Sequence, residues 1–544
     1  MNNIQGKETS VFVRKSTGLV REASFFDAAI FTATFSAPVG TTLAFGLFWA
    51  LGAFPGTNIL LAIILSAVID VPILIMMAYM ASSMPRTGGD YIWVSRILSP
   101  SLGMVSSFAA VFSALIGAAY WARIWGSMGV GPTLVILGNV MNSETLVSLG
   151  NWAAGTGGTF ILGLVMILLL ILTLVSGTKK MFKIQNTFFT IAMIGTVMAL
   201  LVFVFGNQSV FITNFNAFAQ KYTSSADSYN YIINLAKEAG YNSELKSTFG
   251  ATLPSVVCIF TFMMWNFWSV YLSGEMKSAG NRKRQMGIMF TALLWDTGFL
   301  ALGAILIFNV LGKDFFTAIN FLSTNAAAKY TLPVNPYFTL FAGVIIKNPL
   351  LNILIALSFL LWNLPAMIGN TFMPVRSLFA WSFDRVLPKK LSEVNERTHT
   401  PVPAILVVGA MVTLIFIWST FSTSFFTLLA MGVLCGVIEI TLVAIAAIRM
   451  PYTQKDLYET SPAKGTWFGV PVLVVTGVLS LLVMALVTYL LMTYPGIGIA
   501  SPWLGLGFIV AVVAVGLLIY YISKLVQKRH GINIDLSFKE LPPE

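Results

Sequence analysis

Phe31-Thr32-Ala33-Thr34-Phe35-Ser36-Ala37-Pro38-Val39-Gly40-Thr41-Thr42 is the stretch whose reading decides the fold. It lies inside the first long apolar run, from Asp27 to about Leu51. A run of about 20 apolar residues crosses a bilayer as a helix. This one carries five hydroxyl residues and a Pro-x-Gly at its centre. Pro38 has no N–H, and its ring clashes with the carbonyl four residues back, so a helix breaks or kinks there. Inside a membrane, broken backbone is tolerated only where protein buries it or where it lines a watery cavity. The stretch therefore marks a cavity at bilayer depth and half of a binding site.

Working outward, the whole chain has the composition of a polytopic membrane protein. Its 544 residues are 57% hydrophobic and 10% charged, with a mean hydropathy of +0.83. A net charge of +11 raises the question of nucleic acid. The distribution excludes it, because Lys and Arg fall in short loops between apolar runs, as the positive-inside rule predicts. Twelve spans are expected, which places both tails on one side. The tails and the alternate loops beginning at Arg86 hold 25 of the 32 Lys and Arg; the opposite loops hold six. Both termini are therefore read as cytoplasmic. Cys258 and Cys435 lie in apolar runs, and His399 and His530 in polar segments, so neither a disulfide framework nor a metal site is expected. No apolar signal sequence precedes Asp27. No cofactor is expected, and no cluster of His, Cys or carboxylates suggests an enzyme.

The chain divides into a cytoplasmic tail (1–26), spans 1–5 (27–206), an extracellular segment (207–252) with a short helix near 229–239, spans 6–10 (253–448), spans 11–12 with a preceding cytoplasmic loop (449–524), and a cytoplasmic tail (525–544). Span 3 is longer than a bilayer needs and is expected to tilt. Its Trp121 and Trp125 are read as interfacial anchors, with a cavity-facing role as the alternative. A second break is expected in span 6, where Ile259-Phe260-Thr261-Phe262-Met263-Met264-Trp265-Asn266-Phe267-Trp268 sits five spans after the first. Transporters built from inverted repeats place a discontinuous helix at corresponding positions of each half.

Several motifs, in order and in matching loops, resemble the amino acid–polyamine–organocation (APC) transporters. Met84-Pro85-Arg86-Thr87-Gly88-Gly89-Asp90-Tyr91 is similar to their P-x-x-G-G-x-Y signature. Gly274-Glu275-Met276-Lys277 resembles their G-E-x-K segment. Arg376-Ser377-Leu378-Phe379-Ala380, Asp384 to Pro388, and Arg397 to Pro403 resemble the run that follows span 8. The resemblance implies an all-α, LeuT-like fold of twelve helices, a 5+5 inverted repeat with broken helices 1 and 6. It implies secondary transport of amino acids or related amines. Two departures stand out: Ser36-Ala37-Pro38 replaces a glycine-rich break in span 1, and Met264 and Asn266 replace a glycine and an acidic residue in span 6.

A zwitterion away from water needs a partner for each charge. A broken helix supplies both: free N–H groups and a positive dipole end for the carboxylate, and unwound carbonyls for the ammonium. The expected substrate site is Phe35, Ser36, Ala37, Val39, Gly40, Thr41, Phe262, Met263, Met264 and Trp265. Its lining favours an apolar or aromatic amino acid; the alternatives are an amine or organic cation, or a sensor on the same fold. Asp70, Asp296 and Glu439 are ionisable at membrane depth and are candidates for proton or ion coupling. Proton coupling, sodium coupling, exchange and plain facilitated diffusion remain open, because span 5 lacks the Lys that stands in for sodium in some proton-coupled relatives. Gly88, Gly89 and Glu275 are candidate cytoplasmic gate elements. Glu275 has Lys277 and Arg282 nearby and is read as pairing across to another cytoplasmic loop, with a solvated charged loop as the alternative there. The expected setting is a plasma membrane, and the only partners expected are the small substrate, its coupling ion and lipid; the oligomeric state is open.

Overall fold

The structure is a computed structural model that describes residues 21–36, 47–422, 425–539 and 541. Pro38 and the expected break of span 1 lie outside these residues. Among the described residues, eleven helices are long and apolar enough to cross a membrane. They are Ile59–Ser83, Pro100–Val140, Thr156–Val175, Thr178–Phe205, Phe249–Leu272, Arg282–Leu311, Pro349–Phe383, Val402–Phe421, Thr427–Thr453, Val472–Thr493 and Pro502–Arg529, numbered here as spans 2 to 12. The first apolar run contributes the helix Phe25–Ser36 and a helical stretch over 47–53, together called span 1. The only described sheet is a hairpin of Thr466–Trp467 with Val470–Pro471.

Burial sorts the spans into a centre and a rim. In span 6, 89% of the most apolar stretch is packed inside the protein; in span 12 the figure is 22%. Span 3 packs against spans 8, 9, 10 and 12, span 2 against 6 and 7, and span 5 against 8. Span 3 is 41 residues long and contains a π-helical stretch, Trp125–Val130. A π-bulge is one of the places where helices kink. Span 6 is α-helical only to Met263, continues through turns, and resumes as a 3₁₀ helix over Trp268–Leu272. The expected break therefore lies at 264–267.

The segment between spans 5 and 6 forms two helices, Gln208–Thr223 and Ser228–Glu238; only the second was expected. Tyr229 holds it down by stacking on Phe315, centroids 4.3 Å apart, and by donating to the Leu311 carbonyl at 2.8 Å.

Candidate functional site

A cavity of about 80 Å³ lies at the break of span 6. At about 30 Å³ per water, as in the liquid, it has room for roughly two or three waters. Its walls come from five spans: Phe35 and Trp49 of span 1, Ser113, Ile116, Gly117, Tyr120 and Trp121 of span 3, Thr261, Phe262 and Trp265 of span 6, Asn370 of span 8, and Leu429, Gly432 and Val433 of span 10. Phe35 and Trp49 flank the undescribed part of span 1, so both described ends of that segment meet the cavity.

The expected site residues divide into three groups. Phe35, Phe262 and Trp265 line the cavity. Ala37, Val39, Gly40 and Thr41 lie outside the described residues, and Ser36 ends the first described helix. Met263 and Met264 are fully buried and absent from the lining. Met264 instead packs with the Trp265 ring against Gly436, where a Cβ would collide with both. Helical geometry explains this, because neighbouring positions cannot all face one side.

The sequence reading missed the wall from span 10 and, beyond the alternative given for Trp121, the wall from span 3. Ser113 donates to the Gly432 carbonyl at 2.9 Å and ties those walls together. Gly117 leaves room for Asn370; a Cβ there would fall on the Asn370 amide oxygen. Trp121 is buried and faces the cavity, so it is not an interfacial anchor. Trp125 donates its indole N–H to the Leu360 carbonyl at 3.0 Å.

An aromatic stack runs down from the cavity. Phe35 lies flat on Trp268, with centroids 4.0 Å apart and planes 5° apart. Its ring presses on Gly369, where a Cβ would not fit, and Trp268 donates to the Gly369 carbonyl at 3.1 Å. Trp265 meets Trp268 edge-on at 5.3 Å, and Trp268 meets Tyr271 at 4.9 Å. The Trp265 indole also donates to the Thr261 carbonyl at 3.0 Å. It thus satisfies one of the acceptors that a helix end leaves open.

Three expected coupling residues are all fully buried. Asp70 reaches the break of span 6, where Asn266 donates to its Oδ2 at 3.4 Å; its Oδ1 has no partner. Asn266, at the position where the APC-like pattern has a carboxyl, thus meets a carboxyl of span 2. Asp296 is buried in span 7, outside the cavity lining. Glu439 contacts Tyr271.

Glu275 is not part of a solvated loop. It is 2% exposed and pairs with Arg376 of span 8, also 2% exposed. The Arg376 Nη2 lies 3.1 Å from the Glu275 Oε2, which also accepts from Thr178 at 2.8 Å. Lys277 and Arg282, the expected neighbours, are not its partners among the described residues; Arg282 donates to the Pro462 and Lys464 carbonyls. Backbone bonds join Ala23 to Glu275 at 2.9 Å and Lys277 to Ala23 at 3.1 Å. The entry to span 1, the end of span 6, the start of span 5 and the end of span 8 are thus fastened together.

Gly88 and Gly89 have φ of 106° and 48°, angles that favour glycine. A Cβ on Gly89 would also strike the Tyr271 ring. The turn sets Asp90 at the first position of the helix Asp90–Ile97. Burial raises the Asp90 carboxyl to about 6, although Ser106 and Tyr271 both donate to it.

A search of curated proteins returned no match. A protein-family description, amino acid permease, matches residues 24–519. That range contains all eleven apolar helices except the last ten residues of span 12, together with every cavity residue. With nearly the whole membrane-spanning region matched, the chain belongs to the amino acid permease family of the APC superfamily.

Proposed function

We propose that this permease is a secondary active transporter for amino acids with apolar or aromatic side chains, working by alternating access around broken spans 1 and 6. The observation that carries the reading is an aromatic-walled cavity at the end of a membrane-buried half-helix. A helix C-terminus carries partial negative charge and open carbonyls, which suits an ammonium group. The carboxylate would sit on the N–H groups of Val39, Gly40 and Thr41, with Ser36 and Ala37 on the other side of the break. Phe35, Phe262, Trp265 and Trp121 would hold the side chain. Apolar burial of this kind contributes about 25 cal/mol per Å². No carboxylate or cation lines the described part of the cavity, which supports a neutral side chain.

In this reading spans 1–5 and 6–10 are the two inverted repeats, spans 11 and 12 are additions, and the domain boundaries are those drawn from the sequence. The charge asymmetry of the loops supports cytoplasmic termini with 207–252 on the opposite side, and a plasma membrane is the setting taken with it. The Glu275–Arg376 pair and the Gly88-Gly89 turn then belong to the cytoplasmic gate.

The test is reconstitution of the purified protein in liposomes. Uptake of a labelled amino acid panel is measured with and without an inward proton or sodium gradient. Accumulation of one apolar or aromatic amino acid supports the reading. Transport of amines alone would replace it with an organic-cation carrier, which aromatic walls also suit. Specific binding without transport would favour a sensor.

Asp70, Asp296 and Glu439 are the candidates for coupling to a driving ion. Asp70 is the strongest, because its unpartnered oxygen lies beside the break. Asp70→Asn is expected to lower gradient-driven accumulation to the level set by substrate concentration alone. Accumulation equal to wild type would remove Asp70 from coupling.

A further inference from the structure

The Tyr271 hydroxyl lies between two carboxyl groups, 2.9 Å from Asp90 Oδ1 and 2.7 Å from Glu439 Oε1. Ser106 donates to the other Asp90 oxygen at 2.6 Å. Asp90, Tyr271, Glu439 and Ser106 are each no more than 1% exposed. Among the described residues, no Lys, Arg or His bonds to either carboxyl. The charged groups on the surrounding elements have other partners: Arg96 has Asp384, Arg376 has Glu275, Asp70 has Asn266, Arg123 has the Ser419 carbonyl, and Lys524 has Asp535. Further titratable groups on these elements are Tyr91, beside Asp90, Cys435, one turn before Glu439, Tyr79 of span 2, Tyr120 of span 3 and Arg449 of span 10.

A phenol has one hydrogen to donate. Two oxygen–oxygen contacts below 3 Å with carboxyl groups therefore require a second hydrogen, carried by one of the carboxyls. The surroundings choose which one. Asp90 has two hydroxyl donors and the first position of a helix, where the dipole favours negative charge. Glu439 has no other donor, and its Oε2 is buried without a partner. An ionised Glu439 would leave charge unpaired in an apolar interior.

We propose that Glu439, Tyr271 and Asp90 form a proton-binding site that clips the cytoplasmic side of the transporter shut. Glu439 carries the proton and donates it in a hydrogen bond to the Tyr271 oxygen, while the Tyr271 O–H donates to the Asp90 carboxylate. This one proton ties span 10 to the end of span 6 and to the helix that follows span 2. When the proton leaves Glu439 for cytoplasmic water, two carboxylates face one hydroxyl hydrogen. The pair then needs hydration, and hydration requires the Asp90–Ile97 helix to part from Tyr271. The clip meets the substrate site through the Trp268–Phe35–Trp265 stack. The gating role rests on the transporter reading; the proton assignment does not.

The test uses the full-length purified protein and two readouts. Infrared difference spectra of wild type against Glu439→Gln are expected to show loss of a protonated-carboxyl band. Those against Asp90→Asn are expected to show loss of an ionised-carboxylate band. Loss of a carboxylate band in Glu439→Gln, with the acid bands intact, overturns the assignment. Tyr271→Phe keeps the ring on Gly89 and Trp268 and removes only the hydroxyl. It is expected to shift the Glu439 acid band, and an unmoved band overturns the bridge even if the Gln variant fails to fold. In liposomes, exchange of the substrate is compared at about pH 6 and about pH 8, a range that brackets ordinary proton switches. Wild-type exchange is expected to change with pH and Glu439→Gln exchange to stay flat; identical pH curves overturn the gating role. Absence of transport by wild type would instead sink the transporter reading and leave the infrared result to decide the proton site.

Discussion

Arg376→Ala is expected to destabilise the protein by about 3–5 kcal/mol, the usual cost of leaving one partner of a buried ion pair alone. Glu275 would keep the Thr178 hydroxyl as its one side-chain donor, at 2% exposure. Arg376 also covers the Phe372 ring, its guanidinium carbon 4.4 Å from the centroid, so packing is lost along with charge. The double variant Glu275→Leu/Arg376→Met is expected to recover most of the loss, because an apolar pair carries no desolvation cost. Thermal unfolding in detergent of wild type, Glu275→Leu, Arg376→Met and the double variant forms a double-mutant cycle. An Arg376→Ala protein as stable as wild type would show that water reaches Glu275 freely. In transport the double variant is expected to behave differently from wild type, since an apolar contact holds the same spans without a charge to form and break.

Gly117→Leu is expected to abolish specific substrate binding while the protein still folds. Its Cβ would displace the Asn370 amide, and the rest of the side chain would enter a space of about 80 Å³. Overfilling a packed site costs about 1–3 kcal/mol of stability, which a folded membrane protein with this much buried surface is expected to survive. Binding to the purified variant, measured by calorimetry alongside its unfolding temperature, checks both halves of the statement. Wild-type affinity in a stable Gly117→Leu protein would move the substrate site elsewhere.

The spans were legible because hydropathy and length are one-dimensional properties. The break in span 6 was legible because its aromatic run sits five spans after Pro38 and because a membrane restricts where irregular backbone can lie. What a side chain faces was less legible. Phe262 and Trp265 line the cavity while Met263 and Met264 pack away from it, and an apolar helix gives no periodic sign of which face is inward. Ser113, Gly117 and Gly432 passed as ordinary residues in apolar spans for the same reason. The Glu275–Arg376 pair joins residues 101 positions apart, and only the fold brings them together. Asp90 was read as one letter of a glycine motif. The available signal was an acidic residue in a loop otherwise counted for its positive charge.

The stack of Phe35, Trp265 and Trp268 has a practical consequence. Two of the chain's 13 tryptophans sit in that stack, and Trp49 and Trp121 also line the cavity. Indole emission depends on the polarity and mobility of its surroundings. A ligand that enters the cavity beside Trp49, Trp121 and Trp265 should therefore change the intrinsic fluorescence of the unlabelled protein, and Trp265→Phe should remove much of that signal. The molecule carries its own optical probe of occupancy, so candidate substrates can be ranked in detergent by titration before any liposome is made.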